Sequence, residues 1–125
     1  MANLNDALHG ALSSEVVTAL QASVTTDLYD KAQEDLAVGA ASLLVKTTIV
    51  QISGTKAYTL ADGLYAGQRK VFIVETAAST PDGTLTPANY GTGTSIDLDA
   101  VGETCELEWR EGQWWLVALV GATTS

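Results

Sequence analysis

The sequence predicts a mainly β fold, a small antiparallel β-sandwich or barrel preceded by a short-helical or extended N-terminal arm. Three observations predict it. From Ala41 onward, β-branched and aromatic residues gather into short runs. Clusters of Gly, Thr, Pro and Asn separate those runs. The first forty residues follow a different rhythm. The 125 residues suit one domain with an appendage, divided into an arm over 1–40 and a β-domain over 41–125.

In the arm, apolar residues recur at every fourth position: Leu4, Leu8, Leu12, Val16, Leu20, Val24, Leu28, Ala32 and Leu36. Along one straight helix that spacing drifts by about 40° per step, so the stripe would wind round the rod. Short helices broken by turns fit better, with Gly10, Ser13-Ser14 and Thr25-Thr26 as breaks or caps. The spacing predicts helices near 14–22 and 27–37. Six acidic residues and one lysine lie here, so five of the nine net negative charges belong to the arm.

The β half reads as a series of strands. "SLLVKTTIVQI" (42–52), "KAYTL" (56–60) and "RKVFIVETA" (69–77) come first, then "SIDLD" (95–99), and last the pair "ETCELEWR" and "QWWLVALVG". "DGLYAGQ", "STPDGTLTPANYGTGT" and "AVGE" supply the turns. Pro81 and Pro87 both fall in the longest predicted loop, where no strand has to accommodate a residue lacking an N–H.

All three tryptophans lie within "WREGQWW". Arg110-Glu111-Gly112-Gln113 predicts a two-residue hairpin turn with Gly at a position of positive φ. In that register Trp109 faces Trp114, Leu107 faces Leu116 and Cys105 faces Ala118, all on one apolar face. Trp109 and Trp114 are therefore expected in the core. The other face pairs Glu108 with Trp115, Glu106 with Val117 and Thr104 with Leu119. A stripe of Trp115, Val117 and Leu119 suits a half-covered surface, and these three are candidate subunit-interface residues.

Composition excludes several function classes. With a formal charge of -9 and no basic cluster beyond Arg69-Lys70, neither nucleic acid nor an anionic membrane is an expected partner. No apolar run reaches membrane-span length. The N-terminus lacks the basic start and unbroken apolar core of a secretory signal, so synthesis as a soluble protein in a reducing compartment is expected. Cys105 is the lone cysteine and has no neighbouring cation, which points to a buried apolar thiol. His9, the lone histidine, lies in the arm, a poor place to orient a catalytic base. Asp97, Asp99 and Glu103 do not match a calcium loop, and "GTGTS" (91–95) lacks the lysine of a phosphate loop. No enzyme activity, metal or cofactor is expected.

One order of motifs carries a resemblance. A "TLADG" turn is followed by "GQRK" leading into an apolar strand, then by "TLTPAN", "GTSIDLDAVG" and a final "LEWREGQWW" hairpin, over roughly residues 57–119. This order resembles β-domains of tailed-phage virion proteins, especially head-decoration (cement) proteins and head fibres. The resemblance implies a non-enzymatic homotrimer on the outer surface of the capsid, with the major capsid protein as partner. In that setting Leu4, Leu8, Leu12, Val16 and Leu20 are candidate capsid contacts. A receptor- or glycan-binding domain of a head or tail fibre is the alternative, although the chain has no shaft of repeats.

Overall fold

The computed structural model describes residues 29–77 and 81–125. They form ten strands: β1 (Gln33–Leu36), β2 (Gly39–Ala40), β3 (Thr47–Ile52), β4 (Thr55–Leu60), β5 (Arg69–Ala77), β6 (Asp82–Pro87), β7 (Ile96–Leu98), β8 (Thr104–Arg110), β9 (Gln113–Val120) and β10 (Thr123–Thr124). One sheet has the order β1-β3-β5-β8-β9 and the other β10-β7-β6-β4-β2. The expected sandwich is present, with sheets that are mixed rather than antiparallel throughout.

The mixture has a simple origin. The chain crosses from one sheet to the other after β1, β3 and β5, so each pair of successive strands makes one turn of a coil. Turns that stack in the same sense are parallel: β1 with β3, β3 with β5, β2 with β4, and β4 with β6. After β6 the chain doubles back. β7 and β8 then run antiparallel to β6 and β5, and the β8–β9 hairpin closes the first sheet.

Alternation along each strand builds the core. Val50 and Ile52 of β3, Phe72 and Val74 of β5, and Leu107 of β8 point inward and are buried. They meet Tyr58, Leu60, Leu85, Ile96 and Leu98 of the opposite sheet. Trp114 is wholly buried, with its ring edge-on to Trp109 at 5.4 Å between centroids. Its indole N–H donates to the Ala61 carbonyl at 2.8 Å, which satisfies the one polar atom of the side chain. Trp109 is half-buried against that core. Trp114 holds the core place expected of it, and Trp109 packs against the core from its edge.

Three expectations are corrected. First, the β-body begins before Ala41. Residues 33–36, assigned to a helix over 27–37, are strand β1, with Glu34 and Leu36 turned inward beside Thr48 and Val50. An every-fourth spacing repeats on one face of a strand as readily as near one face of a helix, so it could not separate the two. The helix expected at 14–22 lies outside the described residues. Second, the loop expected over 79–94 contains β6. Gly83, Leu85 and Pro87 face inward while Thr84 and Thr86 face outward. Pro87 fits because it is the last residue of the strand, and the next amide, Ala88 N–H, donates to Leu60 O.

Third, the final hairpin contains a β-bulge. Its turn is as expected, with φ of 53° at Glu111 and 75° at Gly112, the left-handed pair that a two-residue hairpin turn requires. Trp109–Trp114, Glu108–Trp115 and Leu107–Leu116 pair as expected. Val117 is then the extra residue, so Glu106 pairs with Ala118, Cys105 with Leu119 and Thr104 with Val120. A shift of one residue reverses which side chains face out. Leu119 therefore packs against the core, and Val120 takes the outward place expected of Leu119.

Trp114→Ala should destabilise the domain by about 3–5 kcal/mol in urea unfolding, because the surrounding strands cannot close a cavity of that size. Trp109→Ala, removing a half-buried ring, should cost less. A Trp114→Ala variant as stable as wild type would contradict this packing.

Candidate functional site

The outer faces of the two sheets differ in kind. On the sheet of β2, β4, β6, β7 and β10, the outward rows read Thr55–Asp82, Ala57–Thr84–Asp97 and Ala40–Thr59–Thr86. These are small or polar side chains. On the other sheet, one row crosses four strands as Ile49, Ile73, Thr104 and Val120, and the next as Thr47, Val71, Glu106 and Ala118. Strand β5 thus carries apolar side chains on both faces, as strands covered on both sides do. Val120 is 61% exposed, Val117 45% and Trp115 37%.

Charge borders this apolar face. Arg69 bridges Glu106 at 3.3 Å and Glu108 at 3.2 Å, and Arg110 pairs with the second oxygen of Glu108. The Arg110 guanidinium first, helped by Arg69, holds the Glu108 carboxyl below its ordinary range. Exposed pairs of this kind contribute little stability. They cross-brace β5 and β8, with Glu106 itself standing in the second row between Val71 and Ala118.

Trp115, a candidate interface residue, has a partial partner within the chain. Its ring lies on Gly91, where a Cβ would come within 2.9 Å of the ring. Its indole N–H donates to Arg110 O at 3.1 Å. Segment 89–92 below it pairs with β9 through Trp114 N–H to Asn89 O and Gly91 N–H to Trp114 O. The exposed part of Trp115 therefore continues the apolar face on a rigid support.

The second arrangement is an end of the sandwich. The strand directions bring loops 41–46, 61–68 and 88–95 and the β8–β9 turn to the same end. Two wholly buried side chains of β5 and its lead-in, Lys70 and Gln68, fasten two of these loops from inside. Lys70 Nζ donates to Ser42 O at 2.9 Å and Val45 O at 2.8 Å, and lies 5.6 Å from the centre of the Phe72 ring. Gln68 Nε2 donates to Leu43 O at 3.1 Å while its Oε1 accepts from Leu64 N–H at 2.7 Å. Burial pushes the Lys70 ammonium down to about 8, only partly countered by Glu34 on β1. The loops so held turn Leu44 and Leu64 outward, 75% and 59% exposed, beside Tyr65.

The chain matches no family model and no curated protein.

The remaining sequence candidates fall into structural places. Cys105 is buried, and burial pushes its thiol up to about 12, the opposite of what a nucleophile needs. The Glu103 carboxylate accepts from the amides of Asp99 and Ala100, which closes the β7–β8 turn. Burial, then Glu103 and Asp97, push the Asp99 carboxyl above its ordinary range. "GTGTS" folds against Ser125, whose carbonyl accepts from Thr94 and Ser95. Among the described residues no three His, Cys, Asp or Glu side chains converge on a metal-sized point. His9 and the candidates Leu4, Leu8, Leu12, Val16 and Leu20 lie outside the described residues.

Sequence reading missed the Lys70 and Gln68 fastening and the outward Ile49, Val71 and Ile73. The second was signalled by "VFIV", which is apolar at odd and even positions alike. The first had no local signal, since a buried lysine is recognised only by carbonyls distant in sequence.

The buried lysine makes stability depend on pH. Its folded value of about 8 lies below the ordinary 10.5, so between these values the unfolded chain holds more protons and stability from this group rises with pH. The Cys105 thiol acts oppositely above its ordinary 9, but equally in wild type and Lys70→Met. The stability of wild type relative to Lys70→Met should therefore grow by about 1.5 kcal/mol between pH 8 and 9.5. A constant difference in urea unfolding across that range would show that Lys70 titrates normally.

Proposed function

We propose that this chain is a non-enzymatic virion structural protein that binds the outer surface of a phage capsid as a homotrimer, with the major capsid protein as partner. The contrast between the outer sheet faces carries this reading. A chain of net charge -9 repels its copies over most of its surface. Val120 and the half-buried Val71 and Ile73 offer a place where contact between copies gains free energy by removing apolar surface from water, while Ile49 in the same row is already buried. The neighbouring Trp115 and Val117 supply the aromatic and branched side chains that suit the middle of such a contact. The threonine-rich face of the other sheet suits continued exposure to solvent.

A scaffold of this kind performs its task through surfaces. The resemblance in residues 57–119 points in the same direction, and its motifs fall on definite elements. "TLADG" leaves β4, "GQRK" enters β5 through the buried Gln68 and Lys70, "TLTPAN" is β6 and its exit, and "LEWREGQWW" is the β8–β9 hairpin. The arm, through Leu4, Leu8, Leu12, Val16 and Leu20, is assigned to the capsid. Three arms on one trimer bind with avidity, because the second and third engage at high effective concentration.

Sedimentation at micromolar concentration should give about three times the monomer mass, and Ile73→Asp with Val120→Asp should reduce it to the monomer. A wild-type monomer would remove the preassembled trimer. Attachment is tested by deleting residues 2–24 and mixing the trimer with undecorated heads. The deletion should abolish co-sedimentation, whereas undiminished occupancy would assign attachment to the β-body.

A further inference from the structure

We propose that strand β10 with Ser125 is a strap that sets the position of Trp115 on the apolar face, by holding the loop on which that ring rests. The coupling is a property of the single chain. Only its consequence for contact between copies rests on the trimer reading.

The contacts form a closed circuit. Trp115 stands on β9 with its ring on Gly91, where a Cβ would come within 2.9 Å of the ring. Gly91 belongs to a segment docked along the outer edge of β9. Trp114 N–H donates to Asn89 O at 3.0 Å, Gly91 N–H to Trp114 O at 2.8 Å, and Leu116 N–H to Thr92 Oγ1 at 3.0 Å. The residues that follow, Gly93, Thr94 and Ser95, meet the strap. Ser125 O accepts from the amides of Thr94 and Ser95, and Ser125 N–H donates to Ser95 O at 2.9 Å. Thr124 Oγ1 donates to Ser95 O at 3.2 Å and so accepts from the Tyr90 hydroxyl at 2.7 Å. The strap itself leaves β9 through Gly121, whose φ of 74° turns the chain toward β7 in the other sheet. From β9 the circuit thus runs through the strap and loop 89–95 and returns to β9 beneath Trp115.

Hydrogen bonds rather than burial hold the strap. Thr123 and Thr124 are both exposed, and Ala122 before them is buried. A two-residue strand of this kind opens more readily than the core. Its seat is nevertheless close-fitting, because a Cβ at Gly93 would overlap the Ser125 carbonyl. The φ of Gly93 is not left-handed, so the glycine serves this approach and not a special backbone conformation. Thr92, Gly93 and Thr94 are exposed, so among the described residues β9 and the strap are what fix this part of the loop. Coupling between two places needs a continuous set of contacts with two arrangements. Here they are the strap seated, with Gly91 pressed on the ring, and the strap lifted, with Gly91 free to leave it.

Amide hydrogen exchange followed by nuclear magnetic resonance tests the strap. Wild type is compared with a variant lacking residues 123–125 and with Gly93→Val, whose side chain displaces Ser125 from the loop side. In both variants the amides of Gly91 and Leu116 should exchange at least fivefold faster. The Trp115 indole proton, assigned by its absence in Trp115→Phe, should move toward the position of free indole. Amides of Val50 and Phe72 should keep their wild-type rates, which separates loss of the strap from loss of the fold. If the deletion loosens Val50 or Phe72 as well, Gly93→Val alone decides. A smaller change at Gly91 and Leu116, or an unmoved Trp115 indole, would overturn the proposal. Sedimentation is a separate readout: a monomeric wild type with these exchange changes would remove the trimer and uphold the strap.

Discussion

The parallel strands of this fold have no turn to hold them together. β3 and β5 lie side by side, yet the chain between them passes through β4 in the opposite sheet. The same is true of β4 and β6. Pairing within either sheet therefore depends on the strands that face it across the core. Removing the contact between Phe72 and Val74 on one side and Tyr58, Leu60 and Leu85 on the other would deprive both sheets of their register. Loop-closure entropy is lost on forming such non-local pairs before any hydrogen bond is gained, so apolar burial has to lead and the ladders follow. The β8–β9 hairpin is the local exception. Its bulge at Val117 and the burial of Trp114 fit it to a sheet that the earlier strands have formed.

The crossing pattern also determines where function can reside. Each crossing leaves a loop at one end or the other, and the end that receives 41–46, 61–68 and 88–95 also holds the buried Tyr29. Regular rows of side chains are left on two flat faces, one threonine-rich and one rich in Ile, Val and Trp. The proposed subunit contact arises from this geometry. On that face and at the loop end alike, a polar arrangement stands beside apolar side chains: the arginine–glutamate brace beside Val71 and Ile73, and the buried Gln68 and Lys70 beneath Leu44 and Leu64.

Much of this was legible in the residues, for identifiable reasons. Strand-forming runs and the Glu111-Gly112 turn are local, and local rules found them. Burial of Trp114 followed from alternation across a two-residue turn. What escaped were features set at a distance. The bulge that sends Leu119 inward depends on how β9 meets β8, and no residue within "LVAL" announces it. β6 was hidden because Gly83, Thr84 and Pro87 resemble loop residues, although Leu85 between two threonines keeps the period of two. β1 was hidden because its spacing fits helix and strand alike. The inward lysine escaped because only the fold brings the carbonyls of Ser42 and Val45 to it.

The central claim, that the parallel turns and the final hairpin share one interdependent core, has a direct measurement. All three tryptophans lie in 109–115, so their fluorescence reports the hairpin and its docking on the core, while far-ultraviolet circular dichroism reports all the strands. Urea unfolding followed by both signals should give coincident transitions with one midpoint and one slope. A fluorescence transition displaced from the dichroism transition would mean that the hairpin and the parallel turns are stable apart, and the account of a shared core would fail.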